Sequence, residues 1–212
     1  MPEALAPKPP AARVAGADPV SALRADLRVR ANLRGQLLEL DTTWGLFSPR
    51  EVDEGTRLLL QHIRVEPDAD CLDLGCGYGP IGLTLARLAP YGHTLLVDKD
   101  FVAVEYSRRN AELNRISNAE ARLSNGFSHL DQRRFDLIAT NLPAKSGKEL
   151  YYLLFHDAYA HLRPSGVLWV VSLSGLRRFV ERALGEVFGN YQKEKQGRVY
   201  TLASAVRGID SP

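Results

Sequence analysis

The sequence predicts an α/β protein organised as a doubly wound, mostly parallel sheet. Three observations carry this. From Cys71 onward, short apolar runs alternate with amphipathic helical runs. The first run, Cys71 to Leu74, leads into glycines at every second position, Gly75, Gly77 and Gly79, then into Pro80 and a helical pattern. The chain finishes in two runs, Tyr191 to Glu194 and Arg198 to Val206, that suit an antiparallel pair. Strand–helix alternation of this kind places helices on both faces of one sheet.

Residues 1–18 are Ala- and Pro-rich with few large apolar side chains and read as a flexible tail. Asp18 and Pro19 suit the N-cap and first turn of a short helix reaching Leu27. Leu27 to Leu33 and Gln36 to Leu40 both alternate, with Arg34-Gly35 between them, which is a short N-terminal β-hairpin. Its outer face carries Arg28 and Arg30, either solvated charge or contacts to RNA. Val52 to Leu60 is a helix whose acidic start suits the helix dipole and whose Leu run packs on the sheet.

The main series follows. Ile81 to Leu88 is helical, Thr94 to Val97 a strand, and Phe101 to Ile116 a surface helix. Ala121 to Leu123 is a short strand ending at Ser124-Asn125-Gly126, and Phe135 to Thr140 is apolar enough to lie centrally. Lys148 to Leu162 is a helix, Gly166 to Leu173 a strand and Gly175 to Phe188 a further helix.

Composition narrows the class. The 212 residues suffice for one sizeable core, and 45% hydrophobic with 25% charged residues is ordinary for a soluble protein. A net charge of +2 allows a local basic patch and no more. Cys71 and Cys76 have no metal or disulfide spacing, and His62, His93, His129, His156 and His161 show no ligand pattern. Val167 to Leu173, the longest strongly apolar run, is far too short to cross a bilayer, and no signal-peptide pattern is present. A cytoplasmic protein without membrane contact is the expectation.

The glycine turn selects the ligand. Dinucleotide-binding loops seat a pyrophosphate on a helix N-terminus. Here the pattern is Asp73-x-Gly75-x-Gly77-x-Gly79, and a carboxylate two residues before the first glycine repels a pyrophosphate while suiting a cationic or amino-bearing ligand. S-adenosylmethionine carries a sulfonium and an ammonium and no phosphate. Asp98, which ends the next strand 23 residues after Gly75, can accept hydrogen bonds from both hydroxyls of a ribose. This stretch resembles motif I of the class I methyltransferases, which implies their Rossmann-like, seven-stranded sheet. Residues 51–208 are then the methyltransferase domain and 19–50 an N-terminal extension of helix and hairpin. In that family a polar side chain after the third strand reads the adenine amino group, and Asn125 matches it, although Asn-Gly is also a plain turn.

Two further stretches sharpen the resemblance. Gly45-Leu46-Phe47-Ser48 followed by Asp53-Glu54-Gly55-Thr56-Arg57-Leu58-Leu59 is similar to a segment of the bacterial 16S ribosomal RNA guanine-N2 methyltransferases, where it closes over the cofactor. The resemblance assigns cofactor contacts to Phe47, Thr56, Asp73, Gly75, Cys76, Gly77, Tyr78, Gly79, Asp98, Lys99, Asn125, Gly126 and Asn141. After the fourth strand the chain reads Asn141-Leu142-Pro143-Ala144-Lys145-Ser146-Gly147-Lys148, where amino-methyltransferases of bases and of glutamine carry Asn-Pro-Pro-aromatic.

A planar exocyclic NH2 is a poor nucleophile. Acceptors must hold its hydrogens and aim its lone pair at the methyl group, and the Asn141 side-chain oxygen and Leu142 carbonyl suit that role, with Pro143 shaping the loop. Two positions depart from the pattern: Leu142 replaces the first proline, and Ala144 the aromatic that would stack on a flipped base. Lys145 and Lys148 suit a phosphate, or simply a solvated helix start. Arg177-Arg178 and Lys193-x-Lys195-x-x-Arg198 read as solvated charge or as an RNA surface.

The resemblance thus implies an S-adenosylmethionine-dependent N-methyltransferase acting by direct in-line transfer on a guanine N2 amine of ribosomal RNA. A protein glutamine N-methyltransferase and a catalytically inactive, methyltransferase-like partner subunit stay open. Larger members of the group carry a second, degenerate domain that helps bind RNA. The chain is short for one, so RNA affinity is expected from a homodimer, the tail or a partner.

Overall fold

A computed structural model describes residues 20–21, 25–144 and 146–208. The expected tail, most of the short helix from Pro19 and the side chain of Lys145 lie outside them; residues 20 and 21 are helical. Strands β1 (Leu27–Leu33) and β2 (Gln36–Thr42) pair antiparallel as a separate hairpin. Its two-residue turn holds Arg34 and Gly35 at φ 54° and 81°, and two positive φ values match the twist of the flanking strands. Arg28 pairs with Asp41 and Arg30 with Glu39 across the ladder, so both cations of the outer face already have carboxylate partners within the hairpin.

The sheet proper follows the expected order. Helix α1 (Glu54–His62) leads to β3 (Cys71–Leu74), α2 (Pro80–Leu88), β4 (Thr94–Asp98), α3 (Phe101–Leu113), β5 (Ala119–Leu123) and β6 (Phe135–Asn141). Then come α4 (Lys148–His161), β7 (Leu162–Leu173), a 3-10 turn at Ser174–Leu176, α5 (Arg177–Phe188), β8 (Gln192–Gln196) and β9 (Tyr200–Val206). The seven strands are ordered β5-β4-β3-β6-β7-β9-β8, with β9 antiparallel to both neighbours and the other pairings parallel. Helices α1, α2 and α3 cover one face and α4 and α5 the other, so the core is two apolar layers separated by the sheet.

Several boundaries move from the sequence expectation. Helix α3 stops at Leu113 rather than Ile116, because Asn114 caps it and Arg115 turns to φ 53°. The strand expected from Gly166 begins at Leu162, directly after the helix expected to include it. Leu162 pairs with Phe135 before a register shift, and Arg163 binds Asp70 and Asp136. The last helix starts at Arg177 after the 3-10 turn, not at Gly175. The last two strands begin at Gln192 and Tyr200, not at Tyr191 and Arg198.

The hairpin is fastened to the domain by two asparagines one helical turn apart, Asn110 in the last turn of α3 and Asn114 at its cap. Asn110 accepts from the Asp41 N–H at 2.6 Å and donates to the Asp41 carbonyl at 2.8 Å; Asn114 does the same to Glu39 at 3.0 and 2.7 Å. The two side chains thus occupy the free edge of β2 as a neighbouring strand would. Asn110, fully buried, also donates to the Tyr78 carbonyl in the glycine turn at 2.8 Å. Asn110→Ala orphans three backbone groups, the half-buried N–H and carbonyl of Asp41 and the buried Tyr78 carbonyl, and is expected to destabilise the fold by about 2–4 kcal/mol, measurable by denaturant unfolding.

Candidate active site

The site lies where the carboxyl ends of β3, β4 and β6 meet, at the point where strand order reverses. Gly75, Gly77 and Gly79 take φ of 78°, 55° and 94°, values that side chains disfavour. A Cβ at Gly75 or Gly77 would meet nothing within 4 Å, so the turn faces open space. Pro80 then starts α2 at its first turn, where no N–H is needed. The Tyr78 hydroxyl donates to the Ser48 and Glu51 carbonyls at 3.3 and 3.2 Å, drawing the segment ahead of α1 over the turn.

Three carboxylates belong to this region. Asp98 is held at the end of β4: Oδ2 accepts the Gly77 N–H and Oδ1 the Asp100 N–H, both at 3.0 Å. Asp73 is fully buried under the turn rather than standing on its surface. Its Oδ2 accepts the Gly82 N–H at 2.7 Å, while Oδ1 has no partner among the described residues. Burial pushes its pKa up to about 7, with the nearby Asp98 charge adding to the shift and the Gly82 N–H opposing it. Asp53, the N-cap of α1, points across to β6.

Asn141 ends β6 and is half-buried. Its Nδ2 donates to Asp53 Oδ2 at 2.9 Å and to Thr56 Oγ1 at 3.2 Å. Leu142 is buried and its N–H is fixed by the Val171 carbonyl, while the Pro143 carbonyl accepts from the Tyr151 hydroxyl. Thr140 Oγ1 donates to the Leu74 carbonyl at 2.9 Å, tying this loop to the strand that feeds the glycine turn.

The other expected residues fall around this centre. Thr56 is buried against Asn141. Asn125 and Gly126 follow β5 in a turn anchored by the Ser124 N–H on the Asp98 carbonyl at 2.8 Å, and Asn125 and Lys99 are exposed. Phe47 is 64% exposed on the segment ahead of α1. Cys76 is buried, its Sγ 3.5 Å from Ser107 Oγ. Burial drives the Cys76 thiol well above its ordinary value and Cys71 to about 12, so neither is a ready nucleophile. Ala144 is exposed and offers no ring to a base.

Sequence reasoning missed Asp53, Tyr200 and Tyr151. The Asp-x-x-Thr pattern ahead of a Leu run marks Asp53 as a helix cap, but nothing local to it signals the reach to β6 and β9. A groove of about 1100 Å3 lies elsewhere, between the segment after α1 and β7, β8 and β9. It contains none of the expected site residues.

The strand order β5-β4-β3-β6-β7-β9-β8, with helices on both faces and β9 antiparallel, is the Rossmann-like fold of the class I methyltransferases, and the glycine turn, Asp98 and the Asn-Leu-Pro-Ala loop lie at its topological switch point. The family model described as Methyltransferase small domain matches residues 38–204, and the chain belongs to that family. It is 40% identical over 178 residues to an uncharacterized protein of Bacillus subtilis, YbxB, covering 82% of this chain and 88% of that one. Among solved structures it is similar to the 16S rRNA N2 guanine methyltransferase RsmC of T. thermophilus, in complex with AdoMet and guanosine, at TM-score 0.78 and 30% identity. That match covers 86% of this chain and 50% of the T. thermophilus one, so the chain spans half the length of that enzyme. A ribosomal protein L11 methylase of Lactobacillus delbrueckii is similar in fold alone, at TM-score 0.60 and 22% identity over 76% of this chain and 87% of the other. No helix among the described residues is long and apolar enough to cross a membrane.

Proposed function

We propose that the protein is an S-adenosylmethionine-dependent N-methyltransferase acting on the exocyclic N2 amine of a guanine in ribosomal RNA. The observation that carries this is the orientation of Asn141. Its Nδ2 faces a carboxylate, which can only accept, and the Thr56 hydroxyl, so Oδ1 is turned the other way. An acceptor fixed beside the glycine turn is what a planar amine needs to be held and aimed. The likeness to a guanine-N2 enzyme favours a guanine over a glutamine amide, which the same two acceptors would also suit.

The residues present fit the cofactor. The unpartnered Asp73 Oδ1 calls for a cation or a donor, the glycine turn leaves room for a close approach, and Asp98 presents a fixed carboxylate for ribose hydroxyls. When bound, S-adenosylmethionine supplies an activated methyl group on its sulfonium. The chain then needs only to position the acceptor. Asn141 Oδ1 and the Leu142 carbonyl take the two amine hydrogens, and the Tyr151–Pro143 contact stops the loop from yielding. Lys148, Arg177, Arg178 and Lys193 supply cations for the RNA backbone, the last three around a groove of about 410 Å3.

The test is transfer of labelled methyl from S-adenosylmethionine to 16S ribosomal RNA. Label recovered as N2-methylguanosine after nuclease digestion supports the reading. Label on protein glutamine, or none on RNA, sinks it.

Asp73 makes cofactor binding pH-dependent. Its folded pKa stands above the ordinary carboxylate value, so its contribution to stability is full in acid and is lost as pH rises through about 7. A cationic ligand binds the ionised form and must expel the proton below that point. Calorimetric affinity is expected to rise with pH up to about 7 and then level off. Asp73→Asn is expected to flatten that profile, weaken binding and raise the melting temperature at pH 8 but not at pH 4. An unchanged profile would remove Asp73 from the site.

A further inference from the structure

We propose that Asp53 is a positioning residue for the transfer: its carboxylate clamps the Asn141 amide so that Oδ1 faces the amine to be methylated. The inference rests on the amine-acceptor role assigned to Asn141 above. It goes further in naming what sets that residue's orientation, which the amide itself leaves open.

An isolated Asn side chain has two nearly equivalent amide orientations, one presenting an acceptor and the other two donors. Only the first serves an NH2 substrate. Here both Nδ2 hydrogens are engaged, one by Asp53 Oδ2 at 2.9 Å and the other by Thr56 Oγ1 at 3.2 Å. The hydroxyl of Thr56 could accept or donate and so decides nothing alone. The carboxylate has no proton to give, and it breaks the tie.

Asp53 is itself held from two sides. The Thr56 N–H donates to Oδ2 at 3.2 Å as part of the helix cap, and the Tyr200 hydroxyl, from β9, donates to Oδ1 at 2.8 Å. Burial and the Asp53 charge push the Tyr200 phenol up to about 12, so it remains a donor throughout the working range. Glycine at position 55 lets the three elements close: a Cβ there would stand 2.8 Å from Asp53 Oδ2 and 2.9 Å from the Tyr200 ring. The start of α1, the end of β6 and the start of β9 thus converge on one carboxylate, and that carboxylate sets the geometry of Asn141.

Three replacements separate the clamp from the cap. Asp53→Ser keeps a side-chain oxygen for the Thr56 N–H but is too short to reach β6. Asp53→Asn keeps both functions, since the Thr56 N–H calls for an oxygen on the side that faces Asn141, where its Oδ1 can still accept from Asn141, and its amide can donate to the Tyr200 oxygen. Asp53→Ala loses both. On a guanosine-bearing RNA, Asp53→Ser and Asp53→Ala are expected to lower kcat by about 10- to 100-fold, with the dissociation constant for S-adenosylmethionine within about threefold of the parent. Asp53→Asn is expected to stay within about threefold of the parent rate. Parental kcat in Asp53→Ser overturns the proposal, as does an Asp53→Asn variant as slow as the alanine one.

A second readout stands apart from transfer. The Asn141 side-chain amide protons, assigned by NMR against Asn141→Asp, are expected to exchange slowly in the parent and rapidly in Asp53→Ser. Should the parent methylate no guanosine, slow exchange would uphold the clamp while the guanine reading fails. Rapid exchange in the parent would overturn the clamp whatever the substrate.

Discussion

Asn141→Ala is expected to lower methyl transfer by about 10²- to 10³-fold, about 3–4 kcal/mol of transition-state stabilisation, while leaving S-adenosylmethionine affinity within about threefold of the parent. The reason lies in which atoms the change removes. Oδ1 is the acceptor aimed away from Asp53, and a methyl side chain leaves one amine hydrogen unheld and the lone pair free to delocalise into the base. The glycine turn, Asp73 and Asp98 stay in place, because their contacts run through β3, β4 and α2. Asn141→Asp makes a sharper case. It sets an oxygen where Nδ2 stood, 2.9 Å from Asp53 Oδ2, so two carboxylates either share a proton or push apart. That variant is expected to be inactive and also to melt lower than Asn141→Ala. Single-turnover transfer together with calorimetric cofactor binding reads both quantities. A loss below tenfold in Asn141→Ala would move the acceptor role elsewhere.

The site is therefore half local and half long-range, and that division decides what the sequence could disclose. The Arg34-Gly35 turn, Pro80 behind the glycine turn, and Asp98 at a strand end are local signatures, legible because each follows from one residue's own backbone or side-chain chemistry. The Asp53 clamp is not. It joins residues 88 and 147 positions apart in the chain, and neither Asn141 nor Tyr200 has a neighbour in sequence that requires an acid. The β2 edge is similar. Asn110 and Asn114 look like ordinary polar positions on a surface helix until the hairpin is laid against them. Asp73 shows a third kind of difficulty. Its type and spacing predict a ligand contact, yet whether it stands on the surface or beneath it depends on how α2 packs, and the structure places it beneath.

Asp98→Ala is expected to weaken S-adenosylmethionine binding by about 3 kcal/mol, about 150-fold, from the loss of two charge-assisted hydrogen bonds to ribose hydroxyls. The carboxylate also orders the site before any ligand arrives. Each oxygen already holds one backbone N–H, of Gly77 and of Asp100, so the remaining lone pairs are fixed in direction by the protein. Removing the side chain frees the Gly77 N–H at the middle of a turn held at positive φ, and the turn pays entropy on binding that the parent does not. Asp98→Asn separates the two contributions. Its oxygen can keep one backbone contact, but its amide must meet the other N–H as a second donor, so affinity is expected to fall almost as far as in Asp98→Ala. A glutamate would reach the hydroxyls from the wrong depth and recover little. Titration of S-adenosylmethionine beside adenosine tests the assignment, since both ligands carry the ribose: the two affinities should fall by similar factors in Asp98→Ala. A loss confined to S-adenosylmethionine would place Asp98 on the methionine end of the ligand instead.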